Sequence, residues 1–417
     1  MKIGKRHYKD RASKGSEQRQ YISYEDVPLD DIKDDEPLPT NVTKKFLKVF
    51  LLLFISVIVV MALTNIDKLT PDNISHWFEY DLLGKSEGEG YPASFSGADV
   101  DTENFELMDG VPVYCSDTSI VVLNTNAGKY QEVNHAFANP MLNVNSEYSV
   151  VYNAGATGYT VINRNSVVKT DLTKDKIFCA DVCPKGIYCI LTESENYLGK
   201  LTVYRKDDLE MYTYSFADYY VNKVSLNREG TRAVVSGLSA KNGNLLSVLY
   251  VIDFSQSNYM QRYEFDDMYI YDVKYLDNGN AVAVADKSAF YINVLDGTKK
   301  DISYHSKFLM SYTLNRQKGM MLSLSTTPDG KECNVLMIDD SGKQQAEIQT
   351  NSQVTSADFR NERIAVLASG EAVIYNMKGK KLVTVPLATD ARKLRFADDS
   401  SLYVLGKSSL YHIKAEQ

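Results

Sequence analysis

From about Ala93 onward the chain repeats one pattern, a strand, a turn, a second strand and then a hairpin. Aligning the strands that open each unit gives MLNVN at Met141, FCADV at Phe178, VNKVSLN at Val221, IYDVKYL at Ile270, MSYTLN at Met310, VTSADF at Val354 and RKLRF at Arg392. Successive starts lie 37 to 49 residues apart, the span of a four-stranded propeller blade. Inner turns recur in LNREGTRAVV, YLDNGNAVAVA, LNRQKGMMLSL and FADDSSLYVL, and glycine-bearing hairpin turns follow at Asp296-Gly297, Ser341-Gly342 and Lys378-Gly379. One more unit, with VPVYCSD, SIVVLNT and KYQEV as its later strands, precedes these, and the last unit owns only three strands. Pro92 to Val100 is available to complete it and close the ring, which protects edges that would otherwise pair with other chains. The expected fold of residues 92–417 is therefore all-β, a β-propeller of eight blades, with seven as the alternative. A composition of 29 Tyr and 15 Phe suits it, because aromatic side chains pack well on pleated surfaces.

A second feature sets where such a ring is expected to sit. Phe46 to Leu63 reads FLKVFLLLFISVIVVMAL, apolar but for Lys48, which can snorkel, and Ser56. That is about bilayer length as a helix. A cleaved signal peptide is the alternative, but its leading region would be unusually long and no small-x-small site follows. Lys44, Lys45 and Lys48 crowd one flank and only Lys68 the other, so the N-terminus is expected in the cytoplasm and the propeller outside, on a single-pass anchor spanning 46–66. Residues 1–45 pair a basic start with an acidic stretch and too little apolar content for a core, the mark of a disordered tail. Between anchor and ring, residues 70–91 hold an expected amphipathic helix, begun by Thr70-Pro71-Asp72, and a GKSEGEG linker. Trp77 and Phe78 on that helix are the candidates for the membrane interface, with packing on the β domain as the other option.

The search for chemistry returns little. No nucleophile elbow, zinc-protease helix, phosphate-binding loop or EF-hand is present, so no catalytic or metal residue and no cofactor is called for. A net charge of -8 gives nucleic acid no basic face to bind. His135, His305 and His412 fall in different units, and Asp266-Asp267 and Asp339-Asp340 sit where aspartate bonds its own turn. Five cysteines leave at least one unpaired. If the Cys179–Cys189 hairpin pairs Val182 with Ile187, those two cysteines point to opposite faces, and all three of the local cluster read as small apolar strand residues rather than a bridge. Candidate binding surface comes from Asp218, Tyr219 and Tyr220, which precede a unit's opening strand near one end of the channel. Ser239 and Lys241, in the polar loop Ser236 to Asn244, join them. Tyrosines there suit rigid amphipathic contact, packing between blades being the alternative.

The units lack tryptophan-aspartate and kelch signatures, and turns such as REGTR and PDGKE resemble those of Trp-less WD40-like propellers of bacterial envelopes. LTPDNISHWFEYDLLG at Leu69 to Gly84, SDTSIVVLN at Ser116 to Asn124, and FADYYVNKVSLNREGTRAVVSGLSAKNGNLLSVLYVIDF at Phe216 to Phe254 carry a closer likeness. Through them the chain resembles a family of single-pass propeller proteins from Gram-positive anaerobes, catalogued as a domain of unknown function. That resemblance implies a cell-membrane, extracytoplasmic location and brings no activity. The expected role is an interaction module of the cell envelope that binds an envelope protein or a cell-wall ligand. The alternatives are a hydrolase or lyase in the central channel and an assembly factor that receives client strands.

Overall fold

The computed structural model describes residues 48–56, 88–97, 99–388 and 390–415, and the chain divides into two units, Met1–Thr70 and Pro71–Gln417. In the first, residues 48–56 form a helix whose apolar side chains, from Val49 to Ile55, are exposed. No helix among the described residues is long and apolar enough to cross a membrane. The rest of the expected span 46–66, the tail 1–45, and Trp77 and Phe78 lie outside the described residues.

In the second unit thirty-two described strands form eight four-stranded antiparallel sheets, seven of them built from four consecutive strands and the eighth from the last three strands and the first. The first strands of the sheets are Phe105–Met108, Pro140–Val144, Ile177–Val182, Tyr220–Leu226, Ile270–Tyr275, Phe308–Asn315, Val354–Arg360 and Lys393–Phe396, and neighbours among them pack side by side around a channel. This is an eight-bladed propeller. The sequence-aligned starts fall within two residues of these strands. The eighth blade is completed by Ala93–Ser94, paired with Ser409 and Leu410, so the segment expected to close the ring does so.

Second and third strands such as Ser119–Leu123, Tyr188–Thr192 and Ala281–Ala285 are buried along their whole length. Alternation disappears there because both faces of a blade are covered by its neighbours. The core is thus a series of layers between blades, as where Phe105, Tyr114 and Val121 of the first blade meet Tyr403, Leu405 and Leu410 of the eighth.

Polar side chains on the inner strands stitch each blade to the next. Leu226 N–H donates to Asp181 Oδ2 at 2.8 Å, Tyr275 N–H to Ser225 Oγ at 3.1 Å, and Phe396 N–H to Asp358 Oδ2 at 2.8 Å. Asn104 Nδ2 donates to Pro140 O at 2.8 Å, and Thr313 Oγ1 to Ala357 O at 2.6 Å. These bonds satisfy backbone groups that an inner edge strand would otherwise leave bare in the channel wall.

Two expectations about local structure need correction. Ser236 to Asn244 is not a loop: strands Arg232–Lys241 and Asn244–Asp253 run through it and turn only at Asn242-Gly243, both with positive φ. Apolar residues on the far side of that turn continue the ladder, so the polar stretch became a projecting hairpin. The cysteine register also slips. Val182 pairs with Tyr188, not Ile187, so Asp181 faces Cys189 and Cys179 faces Leu191 across the same ladder. Cys179 and Cys189 therefore share a face as diagonal neighbours. All five cysteines are nonetheless free and buried.

Candidate functional site

Strand direction sorts the turns into two ends of the ring. Turns between first and second, and third and fourth, strands lie at one end; turns between second and third strands, and between blades, lie at the other. The two ends differ.

The first end is crossed by one side chain. Arg316, in the first turn of the sixth blade, reaches over the channel to Asp181 Oδ2 in the third blade at 2.7 Å and to the Leu226 carbonyl of the fourth at 2.5 Å. Both charged side chains are buried, at 11% and 2% exposure. At the seam between the eighth and first blades, Arg395 grips Glu106 through two bonds of 2.8 and 3.0 Å, while Lys393 donates to the carbonyls of Thr102 and Phe105. Burial opposes the charge on Glu106, but Arg395 and Lys393 overcome it and hold the carboxyl at about 2. Burial, with Arg395 alongside, pushes the Lys393 ammonium down to about 8.

The second end is open and aromatic. Inner strands of the fourth and sixth blades begin there with Tyr220 and Phe308, and Tyr271 is the second residue of the fifth blade's inner strand; the three are exposed at 56%, 47% and 39% in that order. Tyr269 stands edge-on to Tyr271 at 5.3 Å. The fourth blade's long hairpin rises beside them, since its register sets Tyr220 opposite Leu238 and leaves Ser239 to Lys241 beyond the inner strand. Gly237 permits this fit: a Cβ there would lie 3.0 Å from the Tyr220 carbonyl and 3.2 Å from Tyr219 Cβ.

The sequence candidates divide accordingly. Tyr219 is buried between blades, its ring edge-on to Tyr250 and its hydroxyl donating to Glu264 Oε1 at 2.8 Å. Burial and that carboxylate push its phenol up to about 12. Asp218 pairs with Arg262 at 3.5 Å. Tyr220 stays open, Ser239 is half-buried, and Lys241 is exposed at the hairpin tip.

Sequence reasoning named the channel as an alternative site but not the residues in it. Five consecutive blades, third to seventh, bulge at the same place on the inner strand, and the residue after each bulge is Cys179, Lys223, Asp272, Ser311 and Ser356. Glu103, in the 3-10 turn Thr102–Asn104, immediately precedes the first blade, and Asp272 lies on the inner strand of the fifth. Burial disfavours the Lys223 charge, yet Asp272 and Glu103, with Cys179, outweigh it and raise the ammonium. Tyr152 and Tyr312, raised first by burial, also feel both carboxylates. The Glu103 and Asp272 carboxylates thus both act on groups of the second, fourth and sixth blades, and Glu103 acts on Lys393 of the eighth as well. Only the recurrent bulge could have signalled it. His135, His305 and His412 stay apart: the first meets Cys115 Sγ at 3.3 Å and the last Ser401 Oγ at 2.9 Å. Asp339 Oδ1 accepts the N–H groups of Ser341 and Lys343, a turn role. No group of three or more histidines, cysteines or acids among the described residues could hold a metal ion.

Residues 91–414 match a family of unknown function, DUF5711, and the chain belongs to that family. No curated protein matches it. Among solved structures, the C-terminal WD40 domain of Sif2 aligns with TM-score 0.53 and 11% identity, covering 78% of this chain and 97% of that one. A eukaryotic initiation factor aligns with TM-score 0.51 and 10% identity over 78% and 90%. BamB from Moraxella catarrhalis aligns with TM-score 0.48 and 10% identity over 77% and 100%. At such identities the likeness is one of fold.

Proposed function

We propose that this member of the DUF5711 family is a protein-binding module whose working face is the aromatic rim of the propeller, held at the outer surface of a cell membrane by the apolar segment 46–66. One observation carries the binding role: three adjacent inner strands carry an exposed aromatic ring in their first two residues, at the same end of the channel. Single exposed apolar residues are ordinary, but neighbouring rings around a concave mouth form a patch suited to rigid amphipathic contact. Gly90 N–H bonds the Asn126 carbonyl in a turn at the other end of the ring. Support for the anchor and for the outward orientation is the apolar run with its flanking Lys44, Lys45 and Lys48. The partner in this reading is another envelope protein.

Photo-cross-linking in intact cells tests it. A photoreactive phenylalanine analogue at Tyr220, Tyr271 or Phe308 is expected to trap the same envelope protein, while the analogue at Leu209 or Leu295, exposed on the other end, is expected to trap none. Equal capture from both ends removes the rim from the account. A membrane-impermeant amine label should reach Lys241 in intact cells; failure to do so sinks the outside orientation.

The rival reading, a hydrolase or lyase in the channel, has the convergence of Glu103, Asp272 and Lys223 in its favour. Turnover abolished by D272N with rim cross-links intact would establish it instead.

A further inference from the structure

We propose that the first end of the ring lies against a phospholipid surface, with turns of four blades set into the headgroup layer; this rests on the membrane tether of the reading above and gives the tethered ring a face. The argument begins with where exposed aliphatic side chains fall. Val167, Leu209, Met211, Leu295 and Leu382 all stand in the turn between the third and fourth strands of their blades or in the first two residues of the fourth strand. In these blades that turn lies at the first end, so the five side chains share it. Leu295 is exposed at 77% and Leu209 at 58%. Exposed rings take the other end. Tyr197 stands there in a turn between second and third strands, and Tyr220, Tyr271 and Phe308 lie at the start of inner strands, with Leu172 as the exposed aliphatic residue among them.

Their spacing selects the kind of partner. The five belong to the second, third, fifth and seventh blades, so they are spread around the ring at equivalent positions of a repeated unit rather than gathered in one patch. A protein partner draws its energy from a contiguous patch with a few central anchors. Level points scattered around a rim suit a flat, laterally continuous layer that accepts apolar side chains anywhere along it, as a bilayer interface does. Charge agrees locally. Over residues 163–167, 205–211, 294–300 and 377–382, eight bases stand against four acids. Three of those acids are already engaged: Asp207 pairs with Arg205, Asp208 with Lys169 of the neighbouring blade, and Asp296 accepts the Thr298 N–H of its own turn. Lys378, Lys380 and Lys381, just before Leu382, make no side-chain bond among the described residues and are placed to meet anionic headgroups. The remaining turns of this end are mixed in sign and carry Asp339, Asp340, Asp398 and Asp399, so phosphate contact is confined to the four turns that also carry aliphatic residues. Tyr91 Oη donates to the Asn124 carbonyl at 2.8 Å, so the segment leading into the ring is bonded at this end too.

The test uses the full-length chain reconstituted into vesicles of phosphatidylcholine and phosphatidylglycerol. All five native cysteines are buried, so an environment-sensitive dye couples to one introduced thiol, L209C, L295C or L382C at the first end and L172C at the other. Apolar groups at an interface sit about 5–10 Å into the headgroup boundary, so a lipid with a nitroxide high on its acyl chain should quench the three first-end dyes at least about 2-fold and leave the L172C dye unquenched. A dye at V167C should lose at least about half of its quenching in the L209S/L295S/L382S background, whose thermal midpoint reports that the fold is kept. Flotation of the vesicles reads the tether separately. A chain that floats with its first-end dyes unquenched, or with the L172C dye quenched equally, overturns the lipid face and leaves the tether standing. Undiminished V167C quenching in the triple variant overturns the lipid face as well. A chain that does not float removes the tether and the lipid face together.

Discussion

Arg316 shows how much a single side chain can fix in a ring. It ties the sixth blade to the third and fourth across the channel, and its partner Asp181 is only 2% exposed. Removing one member of a buried pair strands the other charge, so R316A is expected to cost about 3–5 kcal/mol, read as a lowered urea midpoint with an unchanged slope. Glu106 makes a different prediction because its pKa is displaced. Its carboxyl titrates at about 2 in the folded chain against 4.5 ordinarily, so the folded state favours the charged form. That stabilisation is complete above the ordinary value and is lost as pH falls toward the folded one. Wild type should therefore exceed E106Q by about 2 kcal/mol near neutrality, a figure reduced for the partial exposure of Glu106, and the gap should close between about pH 4.5 and about pH 2. A gap that stays constant down to acid would mean the Arg395 pair contributes nothing specific.

At the scale of the element, the fourth blade's hairpin is the feature that departs from the repeat. Its two central strands are ten residues each, against five or six in most other blades, and beyond Leu238 and Leu246 they pair chiefly with each other. Replacing Ala240–Leu245 with a two-residue Asn-Gly turn should close the ladder at Ser239 and Leu246, change stability by less than about 1 kcal/mol, and weaken rim cross-linking from Tyr220. Intact capture after trimming would confine the working surface to the inner strands. The hairpin also marks where sequence stops being readable. Strand starts such as Ile270 and Val354 were legible to the residue because turns and β-branched runs repeat, and Pro92 to Val100 was legible as the closing segment. The polar run SGLSAKNGN looked like a loop because strand and loop differ there only in what the next segment pairs with. The Cys179 register failed for a similar reason: a one-residue slip, next to the bulge at Phe178, reverses every face assignment. Glu103 and Asp272 were invisible as a pair. They stand 169 residues apart and act on the same Lys223 only because eight blades close a circle.

For the whole molecule, closure is what holds the opposed halves of the mouth in fixed relation. It depends on Ala93–Ser94, a two-residue strand, and on the aromatic contacts of Tyr91 with Tyr403 and His412 and of Phe95 with Tyr114. A chain beginning at residue 88 should fold with a single sharp thermal transition, whereas one beginning at residue 96 should melt lower by several degrees and aggregate through the bared edge of Ser409–Lys414. Identical melting would assign closure to the Arg395–Glu106 seam alone. The ring has one end crossed by Arg316 and one end set with exposed aromatic rings, and the account stands or falls on whether the aromatic one is where a partner sits. Hydrogen–deuterium exchange of the full-length chain, alone and with the protein captured from its rim, measures this directly. Protection is expected in residues 238–245, 267–272 and 304–309, with the turns at 205–209 and 293–298 unchanged; protection of those turns with an unaltered rim would contradict it.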